Sequence, residues 1–140
     1  MIHPIEENPE LAQQYGIASV WINLVEYALK WALLTKKKFT TNVPNIVMDL
    51  FDNQTLRQII LVSEGILEER TIGKLRDLNN KRRILAHGVV SQKYLSTGKK
   101  LMATDTFLIS HQGAELDLKD FLGGTIKLCK SLSEELHKIR

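Results

Sequence analysis

Apolar residues recur every three or four positions through the first part of the chain, with Leu11, Tyr15, Ala18, Ile22, Val25, Leu29 and Ala32 forming one stripe. A second stripe of Ile17, Trp21, Leu24, Ala28 and Trp31 lies beside it. The combined apolar arc is wider than one packing partner in a small bundle needs, which points to contact with a second subunit. Opposite runs a narrow polar line of Ser19, Asn23, Glu26 and Lys30, read as solvated, with Glu26 and Lys30 spaced for an ion pair. Asn8-Pro9 supplies a capping side chain and a first-turn proline, so the spacing predicts a helix from there to about Lys36.

Residues 40 to 44, ending at Pro44, break the pattern, and Ile46 to Phe51 reads as a short helix followed by the turn and capping chemistry of Asp52-Asn53. Leu56, Ile59, Ile60 and Val62 predict another helix ending near Gly65. A further one starts near Glu68 and carries Ile72, Leu75, Leu78, Ile84 and Leu85. After Gly88 the period shortens. VVSQKYL and LMATDTFLIS alternate like strands around the loop residues Ser96 to Lys100, predicting a β-hairpin over about 88–111 that Gln112-Gly113 closes. Asp117 is the expected cap of a last helix carrying Leu118, Phe121, Leu122, Cys129, Leu132, Leu136 and Ile139. Gly123-Gly124 weakens its first turns, and paired glycines there would also permit a close helix approach.

These elements make a mainly α chain, expected as a single domain over residues 1–140: four to five helices with the hairpin inserted before the last. The 140 residues are 44% hydrophobic and 25% charged, close to the composition of an ordinary soluble globular protein. Nineteen basic against sixteen acidic residues give a net charge of +3, a mild bias toward anionic partners. A lone cysteine, Cys129, cannot form an internal disulfide and sits on an apolar helix face, so it reads as a buried hydrophobe in a cytoplasmic protein. No signal peptide is evident at the start, and Asn23, Glu26 and Lys30 interrupt the most apolar run, residues 17 to 34, so no membrane span is expected.

Candidate chemistry concentrates in NNKRRILAHGVV, residues 79 to 90. Arg82 and His87 are five residues apart, so on a helix they point about 140° from one another. A histidine and a glycine ending a helix also have an ordinary explanation: the macrodipole favours an imidazolium there, and Gly88 suits a left-handed cap. His3, His111 and His137 carry weak signals, with no metal-ligand spacing among them. The paired carboxylates Glu68-Glu69 and Glu134-Glu135 read as solvated helix charges, and no glycine-rich phosphate loop is present.

The segment Arg82-Arg83-Ile84-Leu85-Ala86-His87-Gly88 resembles the signature of the HEPN superfamily, an arginine, usually a polar residue, three variable positions and a histidine, often ending in Ala-His-Gly. The order of elements is similar too. The resemblance implies an up-down bundle of HEPN type and a dimer that brings two motifs together. It also implies handling of RNA by a metal-independent endoribonuclease of a toxin–antitoxin or defence system, partnered by an antitoxin or nucleotidyltransferase and needing no cofactor. In that reading His87 moves the proton, Arg82 clamps the phosphate, and His87 of the other subunit is the second imidazole. Lys81, Arg83 and Asn80 are the accompanying RNA-contacting candidates, whereas Asn79 reads as a surface residue. Arg83 stands where the family usually has asparagine, aspartate or histidine, which strengthens phosphate contact. That departure favours the alternative, a non-catalytic dimeric module that binds RNA, a nucleotide or a partner protein.

Overall fold

Asn8 opens the first helix, its side-chain Oδ1 accepting from the Leu11 N–H at 3.2 Å while Pro9 occupies the first turn, where a missing donor costs nothing. The computed structural model describes residues 6, 8–37 and 55–139. The expected break after residue 40, the short helix at Ile46 to Phe51 and the Asp52-Asn53 turn lie outside the described residues.

The described elements, in chain order, are α1 (Pro9–Lys37), α2 (Leu56–Ser63), α3 (Glu69–His87), β1 (Val89–Thr97), β2 (Lys100–His111), β3 (Ala114–Asp117) and α4 (Leu118–His137). The protein is therefore mainly helical, with an antiparallel sheet inserted before the last helix. Two caps follow from local chemistry. At α2, Thr55 and Gln58 form a reciprocal capping box, Thr55 Oγ1 accepting from the Gln58 N–H and Gln58 Oε1 from the Thr55 N–H. At α4, Asp117 accepts from the Asp120 N–H at 2.9 Å, as its sequence position predicts.

The expected hairpin is a three-stranded sheet of order β1-β2-β3. The third strand is made by a turn at Gln112 and Gly113, both with positive φ (49° and 80°), which pairs His111 with Ala114. Two consecutive left-handed residues are what a tight type I′ hairpin needs. The first turn is also tighter than predicted: Thr97 pairs with Lys100, leaving only Gly98-Lys99 as the connection. Midway, the β1–β2 register shifts between Gln92 and Tyr94. Side chains stitch this irregularity, Gln92 Nε2 donating to Thr104 O (2.8 Å) and Thr104 Oγ1 to Lys93 O (2.7 Å). The half of the sheet beside α3 and α4 buries Phe107 and Ile109, while the far half, including Tyr94, Leu95, Leu101 and Met102, is exposed.

The core is one cluster. Leu11, Ala18, Ile22, Val25, Leu29, Ala32 and Leu33 of α1 meet Leu118, Leu122, Cys129, Leu132 and Leu136 of α4 and Leu75 and Leu78 of α3. By length and composition α1 is apolar enough to cross a membrane. Its fully buried Ala18, Val25, Leu29, Ala32 and Leu33 equally suit the core helix of a globular domain. The second apolar stripe divides. Ala28 is buried and Trp21 sits under the Lys130 ammonium (5.8 Å), but Ile17 and Leu24 are exposed, together with Val20 and Tyr27. Gly123 and Gly124 have open space around them, so they serve no close helix approach.

Candidate functional site at the end of the third helix

The last turns of α3 divide the motif between two faces. Asn79, Arg82 and Ala86 follow one another at helical spacing, and so do Asn80, Arg83 and His87 on a neighbouring face. Asn80, Arg83 and His87 are exposed.

Arg82 and Ala86 line an open groove of about 330 Å³ with Leu85 and, from α1, Tyr15, Ser19, Ile22, Asn23 and Glu26. The polar line of α1, expected to be merely solvated, is thus one wall of a groove whose other wall carries the motif arginine. Among the described residues Arg82 makes no hydrogen bond or ion pair, and its Nε is buried without a partner. A guanidinium has five fixed donors, and shielding one without satisfying it is a cost that an oxygen-rich ligand would relieve. Asn79, one turn earlier, is half-buried with its Oδ1 likewise unpartnered. It is therefore no surface residue, and the helical period that places it beside Arg82 was the signal available for finding it. Among the described residues Glu26 is the one carboxylate in the groove lining.

Tyr15 ties the two walls together. Its hydroxyl donates to the Leu85 carbonyl, an acceptor in the last turn of α3 that has no later helical N–H to pair with. Burial pushes the Tyr15 hydroxyl's pKa above its ordinary value, so it remains a donor.

His87 lies outside that groove, at the helix end, with its ring 6.5 Å from that of His111 and inclined 25° to it. Gly88 brings them together, but not as a left-handed cap: its backbone is extended (φ −70°, ψ 153°). Space is the reason a glycine is required. A Cβ at residue 88 would lie 2.5 Å from Ile84 O and 2.7 and 2.9 Å from the Ile109 side chain. The chain therefore leaves α3 flush against β2, and His111 follows Ile109 by two residues on the same strand face. His111, which carries a weak signal in the sequence, is brought beside His87 from a position distant along the chain.

Lys81 faces elsewhere, its Nζ 3.9 Å from Asp77 and 5.4 Å from the Phe121 ring centre, so it braces α3 against α4 rather than joining Arg82. His137 Nδ1 lies 2.6 Å from Ser133 O within its own helix. The thiol of Cys129 is buried and its pKa is pushed up to about 11 by desolvation, which removes it as a nucleophile near neutrality. Glu134 is exposed, as expected, but Glu135 is not a solvated helix charge. It accepts from Thr71 (3.2 Å) and from Lys74, with Arg70 at 3.5 Å, joining α3 to α4. Among the described residues no group of three or more histidine, cysteine or acidic side chains is placed to hold a metal ion. No family model, curated protein or solved structure matches this chain.

Proposed function

We propose that the chain is a HEPN-like RNA-handling domain that works as a homodimer and cleaves RNA without a metal, in a cytoplasmic toxin–antitoxin or defence setting. The observation that carries this reading is Arg82: an arginine in an open groove, one nitrogen desolvated, with no partner among the described residues. The planar, forked guanidinium matches the oxygens of a phosphate, and an unpartnered one lining a groove supports that use. The motif histidine, exposed at the same helix end, supplies the group that exchanges protons near neutral pH. Dimerisation draws support from α1, where the exposed Ile17, Val20, Leu24 and Tyr27 follow a three-four-three spacing, the seam of a paired helix.

The test is incubation of the purified protein with mixed RNA in EDTA, beside Arg82→Ala and His87→Ala. Fragments ending in 2′,3′-cyclic phosphate, absent with either variant, are expected. Cleavage that persists in His87→Ala refutes the assignment. A second reading, a binding module for RNA, a nucleotide or a partner such as an antitoxin or nucleotidyltransferase, is favoured by one observation. Arg82 and His87 sit on different faces of α3. It predicts retention of RNA without cleavage, with Arg82→Ala abolishing retention.

A further inference from the structure

We infer that His87 and His111 of the same chain form an acid–base pair, with Arg83 as its phosphate-binding cation, on the outer face of the α3 end. The inference rests on the RNA-cleaving reading, in which Arg82 holds the RNA in the groove against α1, and relocates only the proton transfer and the scissile phosphate, from a pair of His87 side chains across a dimer to two imidazoles of one chain.

Three observations converge on that face. The His87 and His111 rings are stacked at 6.5 Å, with no hydrogen bond joining them. At that separation each ring can direct a hydrogen bond of about 2.8 Å to a different oxygen of one phosphodiester. Arg83 precedes His87 by four residues and so lies one turn below it, about 40° around the helix, exposed and without an ion pair among the described residues. Arg82, by contrast, points about 140° away from His87, into the groove against α1. The third observation is the fit at Gly88, where helix and strand meet with no room for a methyl group, so that the two histidines are held by backbone rather than by flexible loops.

Of the charged groups near by along these elements, Arg83 shares the His87 side of α3, Arg82 turns into the groove against α1, and Glu115, paired with Ser110 on β3, lies on the sheet face opposite His111. Imidazole is the side chain whose chemistry suits both general acid and general base work in proton transfer. In the step, one neutral imidazole takes the proton of a ribose 2′-hydroxyl as the 2′ oxygen bonds to phosphorus. The bond from phosphorus to the 5′ oxygen breaks, and the second, protonated imidazole gives its proton to that oxygen. A 2′,3′-cyclic phosphate and a 5′-hydroxyl result, with no net gain of protons. Arg83 offers its planar donors to the non-bridging oxygens.

The experiment measures metal-free cleavage across pH 5 to 9 for wild type, His111→Ala, Arg83→Ala, Arg82→Ala and His87→Ala. A pair in one chain predicts a loss of at least about 100-fold for His111→Ala, the range of one general acid or base, and removal of one limb of the bell-shaped profile. His111→Ala with wild-type rate and profile, while His87→Ala is inactive, overturns the pair and leaves the RNA-cleaving reading intact. Absence of cleavage by wild type counts against the RNA-cleaving reading alone, and binding then decides the pair. A 2′-deoxyoligonucleotide is titrated into protein carrying ¹⁵N-histidine, and both imidazole signals should move together, the response weakening in Arg83→Ala. Movement of the His87 signal alone, or of neither, overturns the proposal.

Discussion

Gly88→Ala is the most direct perturbation of the helix–strand junction. The new Cβ would be 2.5 Å from Ile84 O and 2.7 and 2.9 Å from Ile109 Cγ1 and Cδ1, against ordinary contacts of about 3.5–4.0 Å. The nearest atom cannot yield freely, because Ile84 O already accepts the Gly88 N–H at 2.7 Å, the bond that closes α3. Overpacking of this kind costs about 1–3 kcal/mol, and weakening the closing bond about 1 kcal/mol more. Against this stands a gain of about 0.4–1 kcal/mol, because alanine stiffens the unfolded chain and an extended residue 88 imposes no backbone strain. The net destabilisation is about 2 kcal/mol, or roughly 6–10 °C in melting temperature for a domain of this size.

Thermal and urea unfolding followed by circular dichroism read this directly. A melting temperature equal to or above wild type refutes the steric account, since the unfolded-chain effect alone would then dominate. Ile109 supplies a second check. It is fully buried, so Ile109→Ala alone costs about 2–5 kcal/mol. In the Gly88→Ala background it should cost about 1 kcal/mol less, because the cavity accepts the new methyl group. Additivity within about 0.5 kcal/mol would show that the two side chains do not meet.

Three further outcomes are expected. Tyr15→Phe leaves the Leu85 carbonyl without its donor and should lower stability by about 1 kcal/mol in urea unfolding; an unchanged midpoint would mean that water replaces the hydroxyl at no cost. For Glu135, burial raises the carboxyl's pKa, but the hydrogen bond and charge of Lys74, with Thr71 and Arg70, outweigh it and the net shift is downward. A folded pKa below the unfolded one stabilises the protein at neutral pH, and that stabilisation disappears as acid carries the group through its lowered value. Glu135→Gln should therefore be less stable than wild type at pH 7 and converge with it on acidification, whereas a gap that stays constant down to pH 3 contradicts the assignment. Paired Val20→Asp and Leu24→Asp substitutions, on side chains 58% and 49% exposed, should convert a dimer to a folded monomer in sedimentation equilibrium. A dimer that survives them is not held by this seam.

Local chemistry carried most of the fold. Asn8 and Asp117 cap helices where an oxygen side chain stands before an apolar period, because a cap is satisfied within three or four residues, whereas the cap of α2 is Thr55 with Gln58, which was not among the expected caps. The third strand escaped for an equally local reason. Gln112 carries a left-handed turn that asparagine would have announced, and Ala114–Asp117 is too short to display alternation. The wide apolar arc of α1 was legible as a surplus of hydrophobic surface. Which part of it stays exposed depended on where α4 and Lys130 lie, which no periodicity contains.

The candidate site shows the same division more sharply. The helical period already states that Arg82 and His87 diverge and that Arg83 stacks beneath His87. What it cannot state is that the Arg82 face meets the polar line of α1, or that the His87 face meets the end of β2. The first junction is tied by Tyr15 to the Leu85 carbonyl, and the second follows from Gly88, whose meaning differs with its surroundings: by itself it suggests a left-handed cap, but next to Ile109 it is the residue that fits. A motif read along the chain therefore selects Arg82 with His87, whereas packing groups His87 with His111 and Arg83. The contrast between Arg82→Ala and Arg83→Ala asks which grouping the chemistry follows, and that contrast exists because the chain places two arginines in succession where one face of a helix can use only one of them.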